Sequence, residues 1–181
     1  NEVYSNQLVS TQAIGESQIL LGRARFTMDR VMVHPEAADA KDILARAEQF
    51  MEASNKSWKV YLALPQSADE KRLSDDMDKK RSDYMSNGLL VMSKALREGN
   101  VAQADGLMMA GLTPLYRTLD QAAETLTQFQ ATSAAAMYAE SQSSYHTQVT
   151  MAIGGMIVGA LLTIISSFLL LRAIFGPLDQ A

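Results

Sequence analysis

The sequence predicts an all-α fold: an antiparallel up-down-up-down four-helix bundle whose fourth helix continues into a transmembrane helix. Three observations predict it. Helix-favouring Ala, Met, Leu, Gln, Glu and Lys abound, while Gly and Pro number only ten and four in 181 residues. Apolar residues recur at helical spacing in long segments separated by breakers, with no βαβ alternation. The stretch 151–171, MAIGGMIVGALLTIISSFLLL, runs for 21 residues without a charge, and such a helix is about 30 Å long, the thickness of a bilayer's hydrocarbon layer.

The first helix is expected from Val3 to Val33, with Ile14, Leu21, Met28 and Met32 marking its core stripe. Pro35 ends it. A second helix fits from Ala38 to Leu62, carrying Ile43, Ala47, Phe50, Met51, Trp58 and Tyr61, and Leu64-Pro65 closes it. Ser67 is placed to cap a third helix that starts in the acidic turn Asp69-Glu70 and stops at Gly99-Asn100. The fourth begins near Val101 and meets no strong breaker between Tyr116 and Val149, so a rod of roughly 100 Å is expected. Short connections between helices of this length give the antiparallel bundle. The expected organisation is a bundle over 1–149, a transmembrane helix over 150–172 and the start of a linker over 173–181, with Arg172 pointing to a cytoplasmic downstream side. Since the first helix runs antiparallel to the fourth, its start is expected at the membrane surface, with another membrane helix before it.

Composition excludes several functions. There is no cysteine, so no thiol nucleophile or Cys-based metal site is available. With 16 basic against 20 acidic residues, the net charge of −4 offers no electrostatic case for nucleic acid. The two histidines, His34 and His146, stand far apart, and the eleven methionines read as bundle filler, so no metal or cofactor is expected. Neither a nucleophile elbow nor a glycine-rich phosphate loop is present, so the chain does not read as an enzyme.

Three segments resemble the aspartate and serine chemoreceptors among the bacterial methyl-accepting chemotaxis proteins. LLGRARFTMDRVMVH (Leu20 to His34) is similar to their first-helix ligand segment, with its Arg-x4-Arg-x3-Arg spacing. KSWKVYLALP (Lys56 to Pro65) resembles the end of their second helix, and LTPLY (Leu112 to Tyr116) the fourth-helix segment that bears a binding threonine. The resemblance implies a periplasmic ligand-binding domain in the inner membrane, a homodimer packed through its first helices, higher receptor assemblies, and a HAMP-like linker to cytoplasmic signalling modules. It also implies that Arg25 and Arg30 bind ligand between subunits. The third arginine of the pattern is replaced by His34, which donates fewer and less rigid hydrogen bonds than a guanidinium fork and moves the expected ligand away from amino acids.

Helical geometry tests this without borrowing from the family. At about 100° per residue, Arg30 lies about 160° from Met28, on the side of Arg23 and His34, whereas Arg25 sits about 60° from Met28 on the opposite flank. One small molecule can hardly reach both from a single helix; two chains side by side solve this. On the fourth helix Thr113, Tyr116 and Arg117 share a face, and Pro114 frees the carbonyl of Ala110. The candidate ligand-binding residues are therefore Arg25, Arg30, His34, Thr113, Tyr116 and Arg117. The plainer reading of the arginines is solvation or modest ion pairing, with Asp29 and Glu36 at hand; His34 beside Pro35 also suits a helix end. The function expected is a chemotaxis receptor's sensory domain for small carboxylates, such as C4-dicarboxylates or tricarboxylic-acid-cycle intermediates. An amino-acid or aromatic-acid receptor, the input domain of a sensor kinase or cyclase, and a membrane-anchored interaction bundle remain the alternatives.

Overall fold

The structure is a computed structural model. It describes the backbone of residues 2–175 and the side chains of 6–139, 142, 145–157, 159 and 163. All regular elements among these residues are helical: α1 (Glu2–Val33), α2 (Ala40–Leu62), α3 (Ala68–Tyr84), α4 (Leu90–Arg97), α5 (Val101–Gly106) and α6 (Leu112–Phe175). The chain forms two compact units, 1–134 and 135–181.

In the first unit the polar pairs show the topology, because numbering rises along one helix as it falls along the next. Glu16 and Ser17 of α1 meet Ser57 and Ser54 of α2. Tyr61, Trp58 and Asn55 of α2 meet Glu70, Asp78 and Arg81 of α3. Glu70, Tyr84 and Gly88 lie against Gln130, Tyr116 and Leu112 respectively. The bundle is thus up-down-up-down.

Its core follows the apolar stripes. Ile14, Leu21 and Met28 of α1 and Ala47, Met51, Trp58 and Tyr61 of α2 are buried, while Met32, Ile43 and Phe50 pack at the margin. The caps fall where residue chemistry places them. Ser67 accepts a hydrogen bond from the Glu70 amide at 3.2 Å, and Asn100 one from the Gln103 amide at 3.1 Å. Gly99 takes φ of +71°, and the Asn100 and Gly99 amides return to the carbonyls of Ala95 and Leu96, which closes α4 as a Schellman motif.

The third and fourth helices of the bundle each carry one wider turn, and the second of these falls just before Pro114, where the sequence predicts a strained turn. The third passes through a π-turn at Met85–Leu89, where the Leu90 amide reaches back to the Met85 carbonyl. The fourth passes through another at Leu107–Gly111, with Leu112 bonded to Leu107. The second has a visible cause: Pro114 lacks an N–H and its ring collides with the carbonyl four residues earlier, that of Ala110, which the wider turn displaces. The first accompanies Gly88, whose backbone lies so close to α6 that a Cβ there would stand 2.7 Å from Leu112 Cδ2.

In the second unit α6 runs on to Phe175, and Met151, Ile153, Met156 and Ile157 are exposed. Among the described residues no helix is long and apolar enough to cross a membrane. Most side chains of the expected membrane span 150–172, and most of the expected linker 173–181, lie outside the described residues.

Candidate functional site

The six candidate residues fall on different surfaces of the first unit. Arg25 is half-buried on α1, one turn before Asp29, and faces the third helix, where its charge acts on Asp29 and on the Tyr84 hydroxyl. Tyr116 sits on α6 with its ring 5.7 Å from that of Tyr84 and is 42% exposed, so it lines the surface beside the cluster and is not a core residue. Thr113 and Arg117 are exposed on the same helix, and no ion pair holds Arg117 among the described residues.

Arg30 lies on the other flank of α1. Its Nη2 donates to Asp39 Oδ2 at 2.9 Å, a solvent-exposed pair of modest value. His34, one residue past α1, places Nδ1 3.6 Å from Glu36 Oε1, also in solvent. Arg30 lines an open groove of about 380 Å³ between α1 and α2, together with Arg23, Phe26, Thr27, Ile43, Arg46 and Phe50. Three guanidinium groups thus meet two aromatic rings there. Such a lining sets cationic forks, which match the geometry of carboxylates, beside apolar ring surface.

Arg46, Ile43 and Phe50 belong to α2, which sequence reasoning treated only as core. Their signal was present as register. Ala47, Ser54 and Tyr61 are buried at steps of seven, which leaves 43, 46 and 50 on the margin facing α1.

Two further groups were also missed. Arg81 is 4% exposed, deep between α1, α2 and α3. Its Nε donates to Ser17 Oγ at 3.1 Å, and its Nη2 to Ser54 Oγ at 2.9 Å and Asn55 Oδ1 at 2.8 Å, with the guanidinium 6.0 Å from the Trp58 ring. Burial pulls its pKa down to about 10, with nearby Asp78 opposing the shift. The other is the pair Asp29 and Tyr84. One Asp29 oxygen and the Tyr84 hydroxyl are buried with no hydrogen-bond partner. Burial raises the Asp29 pKa against the pull of Arg25, and pushes the Tyr84 hydroxyl up to about 12. Arg25 acts on that hydroxyl through its charge, without meeting hydrogen-bond geometry.

No cluster of His, Asp and Glu side chains among the described residues is arranged to hold a metal ion. Among the described residues, the candidate positions bring together guanidinium groups, hydroxyls and aromatic rings, and not the paired groups of an acid–base or nucleophilic mechanism.

Comparison with curated proteins and with solved structures gives no match. Comparison with protein families gives one: residues 1–134, the whole of the first compact unit, match the family described as the Tar ligand binding domain homologue, TarH. Because that match covers well over half of the chain, the chain belongs to the TarH family, and its residues 1–134 are the ligand-binding sensory domain of a chemotaxis receptor and not an enzyme.

Proposed function

We propose that the domain binds small carboxylates, C4-dicarboxylates or tricarboxylic-acid-cycle intermediates, at the seam between two copies, and signals across the inner membrane. The observation that carries this reading is the division of cations on α1. Arg25 is half-buried toward Tyr84 and Tyr116, whereas Arg30 and Arg23 line the groove on the opposite flank. A second copy brings the two flanks to one ligand, with Thr113, Tyr116 and Arg117 beside Arg25, and Arg30 with His34 facing them.

The surface of α1 supports a dimer. Ile19, Phe26 and Val33 are 59%, 77% and 68% exposed at steps of seven, a seam that a partner helix covers. Gly15 and Gly22, each four residues before a member of this seam, have open space where a Cβ would stand. The uncharged stretch 151–171 supports the membrane span, and α6 contains both that stretch and Thr113, a route for a two-state helix shift. The apolar lining of Phe26, Ile43 and Phe50 favours aromatic acids as the second reading.

Isothermal titration of the full 181-residue chain in detergent against dicarboxylic, tricarboxylic, amino and aromatic acids tests this. Saturable binding of a di- or tricarboxylate is expected, weakened about tenfold or more by Arg30→Ala, because a charge-assisted bond contributes about 1.5–3 kcal/mol. Failure of every carboxylate to bind, or unchanged affinity in Arg30→Ala, overturns the reading.

A further inference from the structure

Three buried polar atoms among the described residues have no hydrogen-bond partner: Asp29 Oδ1, Tyr84 Oη and Gln66 Nε2. Two of the three belong to one cluster beside Arg25. An unpaired buried hydroxyl or carboxylate oxygen is costly, whereas the buried Arg81 is paired with Ser17, Ser54 and Asn55.

The backbone holds the cluster in place. Tyr84 is the last residue of α3, and the π-turn at Met85–Leu89 follows directly. Tyr116 lies on α6 shortly after the π-turn at Leu107–Gly111. Leu112, fully buried, fills the space over Gly88, so the two helices are in close contact one turn from Tyr84. Tyr84 itself is 0% exposed. Single π-turns inside α-helices are frequent at functional sites, and this pair of tyrosines has one beside each member.

We propose that Asp29 and Tyr84 receive a hydroxyl group of the ligand, so that the domain selects hydroxy-carboxylates over carboxylates of the same length without the hydroxyl. This rests on the carboxylate reading above. The chemistry is specific. A Tyr84 hydroxyl donates and an Asp29 carboxylate accepts, and an alcohol is the small neutral group that accepts from the one while donating to the other. A methylene does neither. An ammonium only donates, and adds positive charge beside Arg25. With the guanidinium next to the pair, the acid group and the hydroxyl of one ligand are read together. A site built to hydrogen-bond a hydroxyl rejects the analogue lacking it, because the protein's own polar groups are then left unpaired.

The test is isothermal titration of the full chain in detergent with succinate, malate and aspartate, for the wild type, Tyr84→Phe and Asp29→Asn. Malate is expected to bind at least about tenfold tighter than succinate and aspartate. Tyr84→Phe is expected to bring the malate-to-succinate ratio below about threefold, with thermal stability kept or raised, since it removes an unpaired hydroxyl. A merely structural tyrosine would lower stability and leave the ratio intact. Asp29→Asn provides a second measure of the ratio that does not depend on the Phe variant folding. If succinate and malate bind equally, if aspartate binds tightest, or if both variants keep the ratio, this proposal fails while the carboxylate reading stands. If no carboxylate binds, both fall.

Discussion

Arg81 shows how a single residue departs from its usual place. A lone arginine in a charged helix normally lies in solvent, since stripping its water costs several kcal/mol. Here Ser17 and Ser54, each at a core register position on its own helix, leave room and supply oxygens, and Asn55 adds a third acceptor. Arg81→Ala is expected to destabilise the bundle by about 3 kcal/mol, from the cavity and the acceptors left without a donor. Arg81→Met, which refills the volume, is expected to cost about half as much, because Ser54 still donates to the Ser17 carbonyl. Urea denaturation of both variants checks this; equal losses would mean that the hydrogen bonds, and not the volume, carry the effect. Two serines at core positions were the trace of this in the sequence, but serine at such a position also packs against a backbone, so the arginine was not legible from one helix alone.

At the scale of the element, the caps and stops were legible and the π-turns were not. Ser67, Gly99 and Asn100 act through their own backbone or their near neighbours, so local chemistry is enough to place them. Pro114 announces a defect, but whether it becomes a helix end, a kink or a π-turn depends on what packs on the other side. The close approach of Gly88 to Leu112 retains the helix, and the extra residue is absorbed at Leu107–Gly111. Pro114→Ala restores a donor and removes the ring, and is expected to raise stability by about 1 kcal/mol, read as a higher midpoint in thermal unfolding. An unchanged or lower midpoint would show that the π-turn is held by tertiary packing and not by the proline.

At the scale of the whole molecule, the first unit carries an apolar seam with no partner inside its own bundle. Ile19, Phe26 and Val33 repeat at seven, the same interval as the buried Ser10, Ser17, Ala24 and Val31 on the other side of α1. The bundle covers one of these two stripes and leaves the other exposed, the face on which the proposed dimer rests. Phe26→Glu is expected to weaken self-association of the chain by about 100-fold, since a charge at the centre of the seam costs about 3 kcal/mol. Sedimentation velocity over a concentration series measures it. A dimer that survives this change would place the contact elsewhere, and would remove the support for a ligand shared between Arg25 and Arg30.

The sequence by itself determined the helices, their order, their caps and the core stripe, because these depend on spacing and on groups within one turn of each other. It also separated Arg25 from Arg30, which needs only the pitch of a helix. Tertiary structure alone decided what each arginine faces: Arg30 a groove completed by Arg46 and Phe50, and Arg25 the cluster of Asp29, Tyr84 and Tyr116. Except for Asp29, which shares α1 with Arg25, those neighbours come from other helices, and Tyr84 and Tyr116 each stand next to or shortly after a π-turn that local spacing did not reveal. The chemistry of the proposed site therefore lies in the registration of helices against one another, a quantity that no single segment of the chain contains.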